Sequence, residues 1–218
     1  TVKGTSRFTA DSFFDVEFDG PAAGNTDLLA VSGLMTIDAG ATMALAFLPG
    51  YVPKFSHSKT VATASGVAGT FQNVTWDDSA FPAEHELAHV NVTYPGTGVI
   101  VNEFDLFPIG RLTLRDSGNW AFLFDGSGSW DPDDDVFGTG NLTFAWDLDG
   151  GAATASGLGV DTWTQTLGAG WHTVALTITD ADGNGSSANL SVTFLVPEPA
   201  SLALLAFGAL ALVRRRRG

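Results

Sequence analysis

The feature that most limits this chain is a hydrophobic period of two that never gives way to a helical one. Phe14, Val16 and Phe18 alternate with polar residues, as do Leu29 and Val31, Met35 and Ile37, and Met43, Leu45 and Phe47. Later runs around Val61, Val74, Val90–Val92 and Val99–Val101 repeat the pattern. A period of two lines up alternate side chains on one face of a strand, whereas a helix needs 3.6. Each run stops at turn chemistry: Asp19-Gly20-Pro21, Gly24-Asn25, Ser32-Gly33, Ala39-Gly40 and Pro49-Gly50. No stretch of a dozen residues sustains helical spacing, so the predicted fold class is all-β. A hydrophobic content of 44 % excludes an intrinsically disordered chain.

Charge narrows the function classes. The formal net charge is −14, from 10 basic and 24 acidic residues. Four of the basic residues are Arg214, Arg215, Arg216 and Arg217, so residues 1–213 hold 10 − 4 = 6. Such a chain cannot displace the counterions of a phosphate backbone, and nucleic acid is excluded as a partner. The absence of Cys excludes a disulfide framework and thiolate metal sites. From Asp116 to Leu195 there is no Lys or Arg and every acid is Asp. A solvated acidic surface is the plain reading of that segment, and oxygen-ligated calcium is the sharper one. The chain opens at Thr1 with no apolar leader before Phe8, the expected look of a mature form or a fragment.

Three stretches resemble known families. In residues 12–101, Phe14-Asp15-Val16-Glu17-Phe18-Asp19-Gly20 is followed by Asp27-Leu28-Leu29-Ala30-Val31-Ser32-Gly33. Met43–Phe47, Gly50-Tyr51-Val52-Pro53 and Gly69-Thr70-Phe71-Gln72-Asn73-Val74 come next. This order resembles the closing rungs of the autotransporter-type parallel β-helices of bacterial surface proteins. The resemblance implies the end of a right-handed parallel β-helix over 1–114, with further coils before it.

Residues 115–195 carry Asp125-Gly126-Ser127-Gly128-Ser129-Trp130-Asp131-Pro132-Asp133, then Phe144-Ala145-Trp146-Asp147-Leu148-Asp149-Gly150. His172 to Asp180 and Ala188 to Phe194 follow, joined by Asp182-Gly183-Asn184-Gly185. Val174, Leu176 and Ile178 put one face of the last hairpin into a core. Trp120 to Phe124 reads as the opening strand, and the central Trp suits an immunoglobulin-like sandwich. The segment is similar to the polycystic kidney disease (PKD) domain. It departs at Asp134-Asp135, where the pattern has Gly-Asp, and at Leu148, where it has Gly. In some PKD-like domains the equivalent aspartates converge on calcium, which implies Asp131, Asp133, Asp147 and Asp180 as candidate ligands. The competing reading makes them turn residues that bond their own backbone.

Residues 196–218 hold Pro197-Glu198-Pro199, an apolar run from Ala200 to Val213, and the four Arg. This order resembles the PEP-CTERM signal recognised by exosortases in biofilm-forming Gram-negative bacteria. It implies a short transmembrane sorting helix, an exosortase-like processing protease as partner, and basic residues held on the cytoplasmic side. The prolines break the preceding strand and keep the cleavage region extended. The run's 14 residues make roughly 21 Å of helix against a hydrocarbon core of about 30 Å, which suits a temporary membrane stop.

One string imitates an enzyme. His85-Glu86-Leu87-Ala88-His89 matches H-E-x-x-H, in which two His bind zinc and the Glu activates water, with Asn102-Glu103 downstream as a source of a third ligand. That chemistry needs a helix. Pro82 precedes the string, and strand-like Val90–Thr93 followed by Pro95-Gly96 comes straight after. On a strand the two His would stand about 13 Å apart, too far for one ion. The zinc protease, with His85 and His89 as ligands and Glu86 as base, is the alternative and not the expectation. His57 and His172 are isolated in the sequence. Trp120, Trp130, Trp146, Trp163 and Trp171 read as core and edge packing of the sandwich.

The expectation is therefore a non-enzymatic, exported protein with no certain cofactor. It would pass through the inner membrane of a Gram-negative bacterium to the cell surface or matrix. Its partners would be the processing protease, the membrane, and extracellular polysaccharide or surface proteins. The remaining alternative is a spacer holding another domain away from the membrane.

Overall fold

A computed structural model describes residues 1–22, 24–133, 141–151, 155–181, 183 and 190–198. Among the described residues the named elements are all strands, and the chain divides into two compact units. Unit 1 comprises Thr1–Ile109 and Asp131–Thr139; unit 2 comprises Gly110–Trp130 and Gly140–Gly218. The boundary falls at 109/110, not at the expected 114/115, because residues from Thr113 already pair within the second unit.

In unit 1, strands β1 (Ser6–Phe8), β2 (Phe13–Phe18) and β3 (Leu29–Ala30) are followed by β4 (Leu34–Ile37), β5 (Thr42–Phe47) and β6 (Ser58–Thr63). Then come β7 (Gly66–Ala68), β8 (Asn73–Asp77), β9 (Leu87–Thr93) and β10 (Gly98–Leu106). Each of β1 to β5 pairs in parallel with the strand three places later, giving the sheets β1-β4-β7 and β2-β5-β8 and the pair β3-β6. The chain thus adds one strand to each of three sheets in turn. The β9–β10 hairpin then adds to β6 antiparallel, which ends the parallel stacking in that sheet.

Strict register brings like residues together across the rungs. Phe18 pairs with Phe47, and their rings stack 5.2 Å apart with Phe104 edge-on to both. Aromatic pairs of this geometry contribute about 0.5–1.5 kcal/mol beyond the area they bury. Val16, Met35, Met43, Val61, Val99 and Val101 complete a core with no exposed surface. The corners are backbone-limited. Gly69 sits at φ +88°, and a Cβ there would lie 1.9 Å from the Ile37 carbonyl oxygen of the rung before, so only Gly fits.

Unit 2 holds β11 (Thr113–Gly118), β12 (Ala121–Asp125), β13 (Thr143–Leu148), β14 (Ala155–Leu158), β15 (Thr162–Thr166), β16 (Gly170–Thr179) and β17 (Leu190–Val196). These form two antiparallel sheets, β11-β12-β15 and β14-β13-β16-β17. The expected opening strand at Trp120 is corrected. The first strand is β11, and Asn119 and Trp120 form the turn after it, both at positive φ (53° and 65°). Trp146 is fully buried at the centre of the core with Phe124, Phe144, Leu176 and Ile178, and its indole N–H donates to the Val160 carbonyl at 2.9 Å.

Candidate functional site

The sequence directs attention to the end of β17. Alternation along this strand ends on Val196, which is buried and pairs with Gly170 at the start of β16. Pro197 has no N–H to extend the ladder, so pairing stops there. Pro197 and Glu198 lie exposed beside a shallow cavity of about 300 Å³ lined by Gly170, Leu195 and Val196. An extended, solvent-facing peptide directly after a core-anchored residue is what a protease needs to bind its substrate as a strand. Pro199, the apolar run from Ala200, and Arg214, Arg215, Arg216 and Arg217 lie outside the described residues. Among the described residues no helix is long and apolar enough to cross a membrane.

Residues 195–217 match the PEP-CTERM protein-sorting motif. The motif indicates an exported protein that is sorted at the membrane and processed by an exosortase. Three solved structures are similar to parts of the chain. The PKD1 domain of Vibrio anguillarum Epp is 25 % identical over 44 % of this chain and 99 % of its own, with a TM-score of 0.33. Carbohydrate-binding modules of the β-sandwich superfamily are 23 % identical over 43 % of this chain and 35 % of theirs, with a TM-score of 0.33. Fibronectin(III)-like modules of Clostridium thermocellum CbhA are 18 % identical over 49 % and 55 %, with a TM-score of 0.35. Among curated proteins none is similar enough to match.

The four candidate calcium ligands are divided between the two units. Asp131 and Asp133 belong to unit 1, where the Asp133 carboxylate is buried and accepts from the Leu106 N–H. The Asp133 N–H donates to Asp131, and the Lys54 ammonium donates to the Pro132 carbonyl at 3.1 Å. Burial, together with the neighbouring Asp131 and Asp105 carboxylates, pushes the Asp133 carboxyl up to about 9. Asp147 instead closes a turn in unit 2, accepting from the Gly150 N–H at 2.8 Å. Asp180 is buried at the end of β16, where its carbonyl accepts from Gly183. Among the described residues no group of three or more His, Cys, Asp or Glu is placed to hold a metal ion.

The zinc string lies on a turn and a strand. His85 follows Pro82, whose carbonyl accepts its N–H at 2.8 Å, while His89 is exposed within β9 opposite Asp105. Desolvation holds the His85 imidazole below its ordinary value. Glu103 is occupied by the Asn91 side-chain amide at 2.7 Å. The shared helical face that zinc would require is missing, and among the described residues no third ligand completes the set.

Three features escaped the sequence reading. His172 is not isolated: its Nδ1 lies 2.8 Å from Asp149, which also accepts from the Thr173 N–H, and its Nε2 lies 3.0 Å from the Gly168 carbonyl. Lys59 is 5 % exposed and donates to the Gly20 and Ala22 carbonyls at 2.6 and 2.9 Å, and burial lowers its pKa. Trp171, expected to pack, is 69 % exposed and stands opposite exposed Leu195. The signal for each was strand parity. Lys59 shares the inward face of β6 with Val61, and Trp171 falls on the face opposite Val174, Leu176 and Ile178.

Proposed function

We propose that this is a non-enzymatic surface or matrix protein, released from its membrane intermediate by exosortase cleavage near Pro197–Pro199, that serves adhesion or the organisation of extracellular polysaccharide. The observation that carries the reading is the exposed Pro197–Glu198 segment leaving a core-anchored strand inside a matched sorting motif. Unit 1 is read as the end of a parallel β-helix, supported by the parallel pairing of strands three apart and by glycine corners stacked on the rung below. Such a solenoid offers a long repetitive surface rather than a cleft, which favours recognition of extended polymers. Unit 2 is read as a PKD-like sandwich on the strength of its three sequence motifs and its two antiparallel sheets.

The test is co-expression of the full chain with an exosortase in a Gram-negative host. Intact-mass analysis of the exported product is expected to show loss of residues beyond Pro197–Pro199. Full-length chain retained in the membrane, identical with and without the exosortase, overturns the reading.

A further inference from the structure

The outer face of the β16–β17 hairpin changes character along its length. At its middle the facing pairs are small and polar: Thr173 bonds Thr193 through their hydroxyls at 2.9 Å, and Ala175 faces Ser191. At the end from which the tail leaves, the pair is Trp171 and Leu195, 69 % and 52 % exposed. Among the described residues nothing covers more than half of either side chain, and the pair stands next to the last anchored pair, Gly170 and Val196.

The length of chain beyond fixes what lies near them. From Val196 to Ala200, the first residue of the apolar run, are four peptide steps. Fully extended, they reach about 13 Å. The polar headgroup layer occupies roughly 5–7 Å of each leaflet outside the hydrocarbon core. If the run is in the bilayer, the hairpin end is held within about one headgroup layer of its surface. An indole beside a leucine is the side-chain pair that this layer accepts best. Charge does not favour an electrostatic attachment, since from Gly110 to Leu195 the basic residues are Arg111 and Arg115 alone and every other charged side chain is an Asp.

We propose that Trp171 and Leu195 seat the end of unit 2 in the interfacial layer of the membrane that takes the tail. This rests on reading residues 200–213 as the membrane-entering segment. Two side chains alone bind a bilayer weakly, but the inserted tail makes the contact intramolecular, at millimolar effective concentration. The seating holds Pro197 and Glu198 at one height above the bilayer, where a membrane-embedded protease works.

The test uses the full chain in phosphatidylcholine vesicles whose acyl chains are brominated near the headgroup. All six Trp lie before the tail, so quenching reports contact by the folded units. The expected result is co-flotation with the vesicles, and quenching that disappears in Trp171→Phe and weakens in Leu195→Ser. A chain that floats with no Trp171-dependent quenching overturns the seating and leaves the tail reading intact. A chain that does not float overturns both. Cellohexaose serves as the competing probe: an emission shift that requires Trp171, without bromolipid quenching, makes the patch a sugar platform and overturns the seating.

Discussion

The two units use the same kind of strand but depend on different things to hold it. In unit 1 each rung lies on another in parallel register, so backbones meet at the corners and glycine is compulsory where they touch. Gly69 against the Ile37 carbonyl and Gly33 against the Gly4 carbonyl, where a Cβ would lie at 1.9 and 2.5 Å, are such contacts. In unit 2 the tight glycines meet the ends of side chains instead, Leu190 above Gly110 and Leu176 above Gly126. Unit 2 rests on how its side chains fill the space between two antiparallel sheets, with Trp146 at the centre. Unit 1 therefore ought to be sensitive to backbone geometry, and unit 2 to side-chain volume.

The largest expected effect tests the second half of that contrast. Trp146→Ala removes a fully buried indole and leaves the Val160 carbonyl without its donor. The cost is about 3–5 kcal/mol, concentrated in unit 2. Calorimetry is expected to show the unit 2 transition lost or strongly lowered and the unit 1 transition kept. Equal loss in both would show that the units melt as one and would break the comparison.

A paired substitution tests the first half. Gly69 and Gly50 have nearly the same φ, +88° and +92°, but a Cβ on Gly50 meets nothing within 4 Å. Gly50→Ala is expected to cost about 1 kcal/mol, from the left-handed backbone alone. Gly69→Ala adds a collision with backbone, for a total of about 2–4 kcal/mol. The difference between the two, read from denaturant midpoints, isolates what rung-on-rung contact demands. Equal costs would mean that the corner yields, and that unit 1 is no more backbone-limited than unit 2.

Much of this contrast is written in the sequence, because alternation is a local signal. Of the alternating runs, Val16, Phe18, Val31, Met35, Ile37, Met43, Leu45 and Phe47 are buried, while Phe14 and Leu29 are half-buried. Parity also encoded Lys59 and Trp171, yet residue type misled: a lysine reads as surface and a tryptophan as core until its position in the alternation is counted. Other features have no local signal. Nothing in Asp131-Pro132-Asp133 says that the segment packs with unit 1 and buries a carboxylate against the Leu106 N–H, 27 residues away in the chain. The motif resemblance groups these aspartates with Asp147 and Asp180, but only long-range packing decides that Asp131 and Asp133 belong to unit 1. A unit boundary at 109/110 likewise has no local signal, since Thr113–Gly118 lacks apolar alternation. Its burial pattern is almost wholly exposed, and its place is set by pairing with β12.

The smallest expected effect sharpens the comparison through pH, because unit 2 carries an acid–imidazole pair on its surface. The Asp149 hydrogen bond raises the His172 imidazole from its ordinary 6.5, and the Thr173 N–H and His172 lower Asp149 from its ordinary 3.8. A raised imidazole stabilises the fold fully below 6.5, and that contribution fades as pH climbs through the folded value. A lowered carboxyl stabilises the fold above 3.8, and that contribution fades as pH falls through its folded value. Both are present together only between about 4 and 6.5. Because the pair is solvent-screened, it contributes no more than about 0.5 kcal/mol. The unit 2 transition is then expected to lie about 2 °C higher at pH 5.5 than at pH 8.5. His172→Gln, which keeps a donor but cannot titrate, is expected to remove that difference while leaving unit 1 unmoved. A difference that survives the substitution would assign the pH dependence to other titrating groups and take the Asp149–His172 pair out of the comparison.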